Sequence, residues 1–213
     1  MIELKDFSFR YREGTEPALK DVNLTIPDGS FVGITGAAGS GKSTLTYALN
    51  GIIPHCYPGD YYGSVTVNGK DALETPLIYL SRMVGSVCQD IDSQFVSPAV
   101  EDEMLYGLEN FGVPREEVEP RIDEALSSMG IADLRGRMID SLSGGQKQKV
   151  AIASILELKP EVLVLDEPTA ELDPASSLNV LRLLARYASE HGTTVVVVEQ
   201  KIALLAEFAS LLV

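Results

Sequence analysis

Residues 31–44 read Phe31-Val32-Gly33-Ile34-Thr35-Gly36-Ala37-Ala38-Gly39-Ser40-Gly41-Lys42-Ser43-Thr44, and this stretch decides the fold. Its first five residues are a short apolar run, the pattern of a buried strand. Two glycines, Gly36 and Gly41, then bracket four residues, and Lys42 and Ser43 follow at the start of an apparent helix over 43–50. Strand, glycine-rich turn, lysine, hydroxyl and helix in that order describe a loop that cradles phosphates. Gly36, Gly39 and Gly41 let the backbone fold so that N–H groups, that of Ser40 among them, point inward at phosphate oxygens. The positive end of the following helix adds attraction. In this arrangement Lys42 reaches the β- and γ-phosphates, the Ser43 hydroxyl ligates magnesium, and Thr44 is a further nucleotide contact.

The rest of the chain supplies the sheet such a loop requires. Residues 2–9 and 19–26 alternate in strand fashion and lead into a Pro27-Asp28-Gly29 turn. Residues 65–70 read as a strand reaching an Asn68-Gly69 turn. Residues 162–165 and 193–198 are continuous aliphatic runs, each preceded by a helical segment. Buried strands alternating with helices predict an α/β fold around a mostly parallel sheet covered on both faces. The run at 162–165 ends in Asp166-Glu167, two carboxylates at the end of a strand, where parallel sheets bind ligands. Asp166 suits a magnesium ion, and Glu167 could polarise a water for in-line attack on a γ-phosphate.

Between these motifs lies Leu142-Ser143-Gly144-Gly145-Gln146, which on its own is only a helix start with Ser143 as N-cap. With all three motifs in this order, the chain resembles the nucleotide-binding domain of ABC transporters over nearly its whole length. The resemblance implies a P-loop NTPase core, an N-terminal antiparallel β subdomain and an inserted α-helical signature subdomain over roughly 90–158. It implies ATP and Mg2+ as ligands. It also implies a head-to-tail dimer with a second ABC ATPase domain (homodimer, heterodimer or tandem fusion), in which Ser143, Gly144 and Gly145 of one domain close over the ATP of the other. By the same resemblance Tyr11 stacks on adenine, and Gln89 ligates magnesium and relays to the membrane partner. Leu172-Asp173 crosses the interface.

The stretch after Gln89, Asp90-Ile91-Asp92-Ser93-Gln94-Phe95-Val96, with Val100-Glu101-Asp102-Glu103 and Tyr106-Gly107-Leu108-Glu109-Asn110, is similar to the ATPase of energy-coupling factor (ECF) importers. That likeness implies an importer of a vitamin or transition-metal ion. It further implies a transmembrane coupling subunit, a substrate-binding membrane subunit and a place at the cytoplasmic face of the membrane. The family usually has a histidine where Gln200 stands, within Glu199-Gln200-Lys201. Glutamine donates a hydrogen bond over similar reach but passes no proton, so slowed hydrolysis with intact ATP binding is expected. Lys42, Glu167 and Gln200 are therefore the catalytic candidates. An ABC domain that only holds ATP beside a hydrolysing partner is the alternative. Family members usually run on past a segment like Ala209–Val213, so a cut C-terminus is also expected.

Composition narrows the class further. The 213 residues carry 31 acids against 17 bases, a formal net charge of −14 that disfavours nucleic acid as the main partner. No apolar run approaches the roughly 20 residues of a membrane-spanning helix. No basic-then-apolar leader opens the chain. Two cysteines, Cys56 and Cys88, are too few for a disulfide framework and are expected to be reduced thiols. Residues 101–140 hold 11 acids and 4 bases, half of the net deficit, on a helical pattern through Val118, Ile122, Ala125, Leu126 and Met129. Two readings stay open for this segment: a solvated helical face, or an acidic subdomain that avoids anionic surfaces such as lipid headgroups.

Overall fold

Side-chain alternation along the strands sets the architecture of the computed structural model, which describes residues 1–213. In chain order the elements are β1 (Ile2–Tyr11), β2 (Leu19–Ile26), β3 (Phe31–Ile34), α1 (Lys42–Leu49), α2 (Ile52–His55), β4 (Gly59–Val67), β5 (Lys70–Asp71), α3 (Leu77–Leu80) and β6 (Val84–Val87). Then follow α4 (Val100–Asn110), α5 (Arg115–Ser128), α6 (Gly144–Leu156), β7 (Val162–Asp166), α7 (Pro174–His191), β8 (Thr194–Val198), α8 (Ile202–Phe208) and β9 (Leu211–Leu212). Strands β2-β1-β4-β5 form an antiparallel sheet. Strands β6-β7-β8-β3-β9 form a parallel one. The α/β class expected from the sequence is the class observed.

The parallel sheet is buried on both faces, which is why its strands read as unbroken apolar runs. Successive side chains point to opposite faces. Leu163, Leu165, Val195 and Val197 enter one core with α4 to α7. Val162, Val164, Val196 and Val198, with Val32 and Ile34 of β3, enter a second core with α1 and the antiparallel sheet. Burying each such side chain stabilises the fold by about 1.5–3 kcal/mol. A shift of one residue in register would exchange the two sets and break both cores.

Helix boundaries follow local chemistry. Asp173 caps α7 by accepting from Ala175 N (2.9 Å) and Ser176 N (3.1 Å), with Pro174 at the first turn. Gly192 ends that helix in the left-handed conformation. Between β6 and β7 the chain is helical, and its acids are extensively paired. Arg135 holds Glu101, Glu119 and Asp123 at 2.7–3.0 Å, and Arg121 holds Glu117 at 2.6 Å. Lys159 and His191 hold Glu124 at 2.8 and 3.0 Å, tying α5 to the end of α7. These acids stay at the surface while they pair, their side chains 40–69% exposed. No helix is long and apolar enough to cross a membrane.

Candidate functional site

The strand order brings four loops to one edge. The C-terminal ends of β6, β7, β8 and β3, which are neighbours in the sheet, lead to Gln89, Asp166-Glu167, Gln200 and the 36–41 loop respectively. Ligands of open α/β sheets bind outside the carboxyl ends of the strands.

The loop after β3 is built by its glycines and by Lys42. Gly41 has φ +94°, and a Cβ there would lie 2.4 Å from the Ala18 carbonyl oxygen, so only glycine fits. The buried Lys42 curls back to donate from Nζ to the Gly36 and Ala37 carbonyls at 2.9 and 2.8 Å. No side chain caps α1, so its first N–H groups have no side-chain partner. Residues 36–40 are exposed, Gly36, Gly39 and Ser40 among them. Thr44 is buried, and its hydroxyl pairs with the Tyr11 hydroxyl at 3.0 Å. Tyr11 therefore lies beside the loop, its ring edge-on to Phe9 at 4.9 Å.

Ser43, Gln89 and Asp166 line one cleft of about 370 Å³, together with Tyr47, Asn50 and Cys88. Asp166 Oδ1 is buried without a hydrogen-bond partner. Burial pushes its carboxyl up from the ordinary aspartate range; the Ser43 hydroxyl opposes the shift, Glu167 adds to it, and Lys42 opposes it. An orphaned carboxylate oxygen beside a hydroxyl and an amide is an all-oxygen donor set that fits a magnesium ion. An anion-cradling loop with a buried lysine fits the phosphates of a nucleotide. A larger cleft, about 810 Å³, opens at the opposite end of the parallel strands. Its polar groups pair with one another, the Met1 amino group with Asp28 and Asn68 with Glu161.

Glu167 stands at the centre of the edge. Its backbone is in the left-handed region (φ +50°), and its N–H donates to Val198 O at 2.9 Å. Gln200 Nε2 donates to one of its carboxylate oxygens at 2.8 Å, and Gln89 Nε2 reaches the other at 3.4 Å. Two glutamines separated by 111 positions thus bracket one carboxylate, an arrangement that spacing alone does not reveal.

The signature residues stand apart. Ser143 opens α6 in a reciprocal capping box with Gln146, Ser143 N to Gln146 Oε1 at 3.0 Å and Gln146 N to Ser143 Oγ at 3.4 Å. Ser143 and Gly144 are exposed and Gly145 is half-buried, and no hydrogen bond joins them to residues 36–44. Within a single chain, then, the phosphate loop and the signature are not brought together. Lys147, next in α6, pairs with Asp92 at 2.8 Å and so anchors the segment after Gln89.

Glu199 and Lys201 belong to no sequence motif, and the structure gives each a task. Glu199 is buried, and its carboxylate accepts from Thr169 Oγ1, Gln200 N and Lys201 N. Lys201 Nζ donates to the Thr169 and Leu172 carbonyls. A Glu-x-Lys pair just past a buried apolar run is the only signal in the sequence that marks them.

Known proteins resemble this chain over nearly its whole length. A family model described as "ABC transporter" matches residues 19–170. A protein of Pyrococcus horikoshii, named as an ABC transporter ATP-binding protein, is 44% identical over 213 residues, covering 100% of this chain and 75% of that protein. A similarly named protein of Streptomyces coelicolor is 43% identical over 98% of this chain but only 37% of its own length. The chain spans about a third of the length of the first curated relatives it matches. Among solved structures, cbiO1 of Clostridium perfringens, described as part of the ABC transporter complex cbiONQ, superposes with TM-score 0.88 at 33% identity, covering 98% of this chain and 81% of that one. The dimeric ATP-binding cassette MJ0796, bound to ADP and Pi, superposes with TM-score 0.81 at 31% identity, over 98% and 91%. The matched range 19–170 spans the loop, the carboxylate pair and the signature, and the chain belongs to the ABC transporter family.

Proposed function

We propose that this chain binds ATP with magnesium and hydrolyses it as the motor domain of a membrane importer of the ECF type. The observation that carries the reading is the convergence of the phosphate loop, Asp166, Glu167, Gln89 and Gln200 on one sheet edge. The 36–41 backbone, Lys42 and Thr44 bind the phosphates, and Tyr11 receives the adenine. A magnesium ion held by Ser43, Gln89 and Asp166 supplies positive charge to the β- and γ-phosphates when bound. Glu167 accepts a proton from the attacking water.

The signature of a second ABC domain completes the site, in keeping with the exposure of Ser143 and Gly144 and with the dimeric state of MJ0796. Closure of that pair drives a transmembrane coupling subunit and a substrate-binding membrane subunit at the cytoplasmic face of the membrane. The helical region over roughly 90–158 acts as the subdomain that carries the signature. Likeness to cbiO1, described as part of an ABC transporter complex, supports the transporter role; the importer class, with a vitamin or transition-metal ion as cargo, rests on the segment after Gln89.

Two measurements test this. Glu167→Gln should lower kcat for ATP hydrolysis at least about a hundredfold while ATP still binds; an undiminished rate refutes the assignment. Affinity capture from solubilised membranes should recover transmembrane partners, and recovery of none refutes the importer reading.

A second reading is favoured by one contact. Gln200 Nε2 donates to Glu167 at 2.8 Å, and an amide in that place, unlike an imidazole, passes no proton. On that basis the chain holds ATP beside a partner domain that hydrolyses it.

A further inference from the structure

The residues flanking Gln200 grip a single residue at two points, its side chain and its backbone carbonyl. Glu199 accepts from the hydroxyl of Thr169, and Lys201 Nζ donates to the carbonyl of the same residue at 2.9 Å. Lys201 reaches on to Leu172 O and Ser177 Oγ, each at 3.4 Å. Glu199 also accepts from the N–H groups of Gln200 (2.9 Å) and Lys201 (3.2 Å), which makes the 199–201 segment a compact turn around its carboxylate. Glu199, Thr169 and Ser177 are all essentially inaccessible. A buried polar network satisfied at this many points has one low-energy arrangement.

Thr169 is two residues beyond Glu167, and Gln200 lies between the two gripping residues. The contact from Gln200 Nε2 to Glu167 therefore closes a small frame. One side is Glu167-Pro168-Thr169, the other is Glu199-Gln200-Lys201, and the Glu167 N–H bond to Val198 O forms its base. Gln200 has a long, rotatable side chain and is exposed, so it gains little order from packing. Its aim at Glu167 depends on the frame.

We propose that Glu199 and Lys201 are positioning residues, a two-point clamp on Thr169 that sets Gln200 against Glu167 and couples it to the 169–173 turn. A displacement of that turn, which leads into Asp173 and α7, is carried to Gln200 through Thr169. The consequence for turnover rests on the proposed ATP hydrolysis; the clamp itself does not.

The test uses Lys201→Met, which keeps the apolar stem and removes the donor, Lys201→Arg, which restores one, and Glu199→Gln as an independent break. Hydrogen exchange on the full chain should quicken in peptides covering 167–173 and 199–202 for Lys201→Met and Glu199→Gln. It should be unchanged around residues 36–44 and close to wild type for Lys201→Arg. Lys201→Met should lower kcat about tenfold with ATP affinity retained, as expected when a group is displaced without loss of binding. In a Gln200→Ala background the same substitution should have little further effect. Unchanged exchange at 167–173 overturns the clamp, as do kcat losses that multiply in the double variant. If the wild-type chain turns over no ATP, the proposed function fails, and the exchange measurements still decide the clamp.

Discussion

Glu157, the residue capping the C-terminus of α6, is 1% exposed, and neither of its carboxyl oxygens has a hydrogen-bond partner. Arg121 reaches only its backbone carbonyl, at 3.4 Å. Burial, followed by the nearby negative charge of Glu103, pushes its pKa up to about 9 from the ordinary 4.5. The folded protein therefore holds this carboxyl protonated at neutral pH, whereas the unfolded chain releases the proton. A group with a raised folded pKa contributes its full stability below about pH 4.5 and loses it as pH climbs toward 9. At pH 7 the loss amounts to about 2.5 pH units at ~1.4 kcal/mol each, on the order of 3 kcal/mol. Glu157→Gln keeps the shape and removes the titration. It should be more stable than wild type by about 3 kcal/mol at pH 7 and by less than about 1 kcal/mol at pH 5. Urea unfolding of both proteins at several pH values measures this directly. Parallel stability profiles for the two proteins would refute the reasoning, because they would mean that Glu157 stays ionised in the fold. The gain also bears on the site: Glu103 accepts from Val96 N and Ser97 N at 2.9 and 2.8 Å, and so fixes the segment that follows Gln89. A second charge at Glu157 would compete with that grip.

Two further outcomes are expected. Gln200→His should raise the ATPase rate about tenfold or more, since histidine adds a proton-passing group where glutamine offers only an amide; equal rates in a steady-state phosphate-release assay would sink the idea. Glu124, held below the usual glutamate range by Lys159 and then by His191, contributes stability above about pH 4.5 that fades as pH falls. Glu124→Gln should accordingly cost at most about 1 kcal/mol at neutral pH, the pair being partly exposed, and nothing well below pH 4, as read from unfolding midpoints.

Much of the site was legible because its parts are local. A glycine loop with lysine and a hydroxyl, an acid pair ending an apolar run, and a Ser-Gly-Gly helix start each involve neighbours in sequence, so backbone chemistry confines them to short patterns. The strand after Gly29, the turn at Asn68-Gly69 and the helix through Ile122, Ala125 and Leu126 followed from periodicity for the same reason. What escaped was the pairing within the acid-rich segment. The side chains of Glu101, Glu119 and Asp123 are solvent-exposed, as a solvated helical face implies, and Arg135, up to 34 positions away, holds all three.

The sequence by itself determined which groups are available: a phosphate loop, one strand-end aspartate, one candidate base and a glutamine in place of the usual histidine. It determined the α/β class as well, since continuous apolar strands are stable only with both faces covered. Only the tertiary structure decided who touches whom at the sheet edge. Strand order β6-β7-β8-β3 places the ends of four distant segments side by side, and register sets Gln89 and Gln200 on either oxygen of Glu167. Those contacts join residues 78 and 33 positions apart, and no local preference specifies them. They exist because the two hydrophobic cores admit one stacking of the strands, and the loops meet where that stacking leaves them.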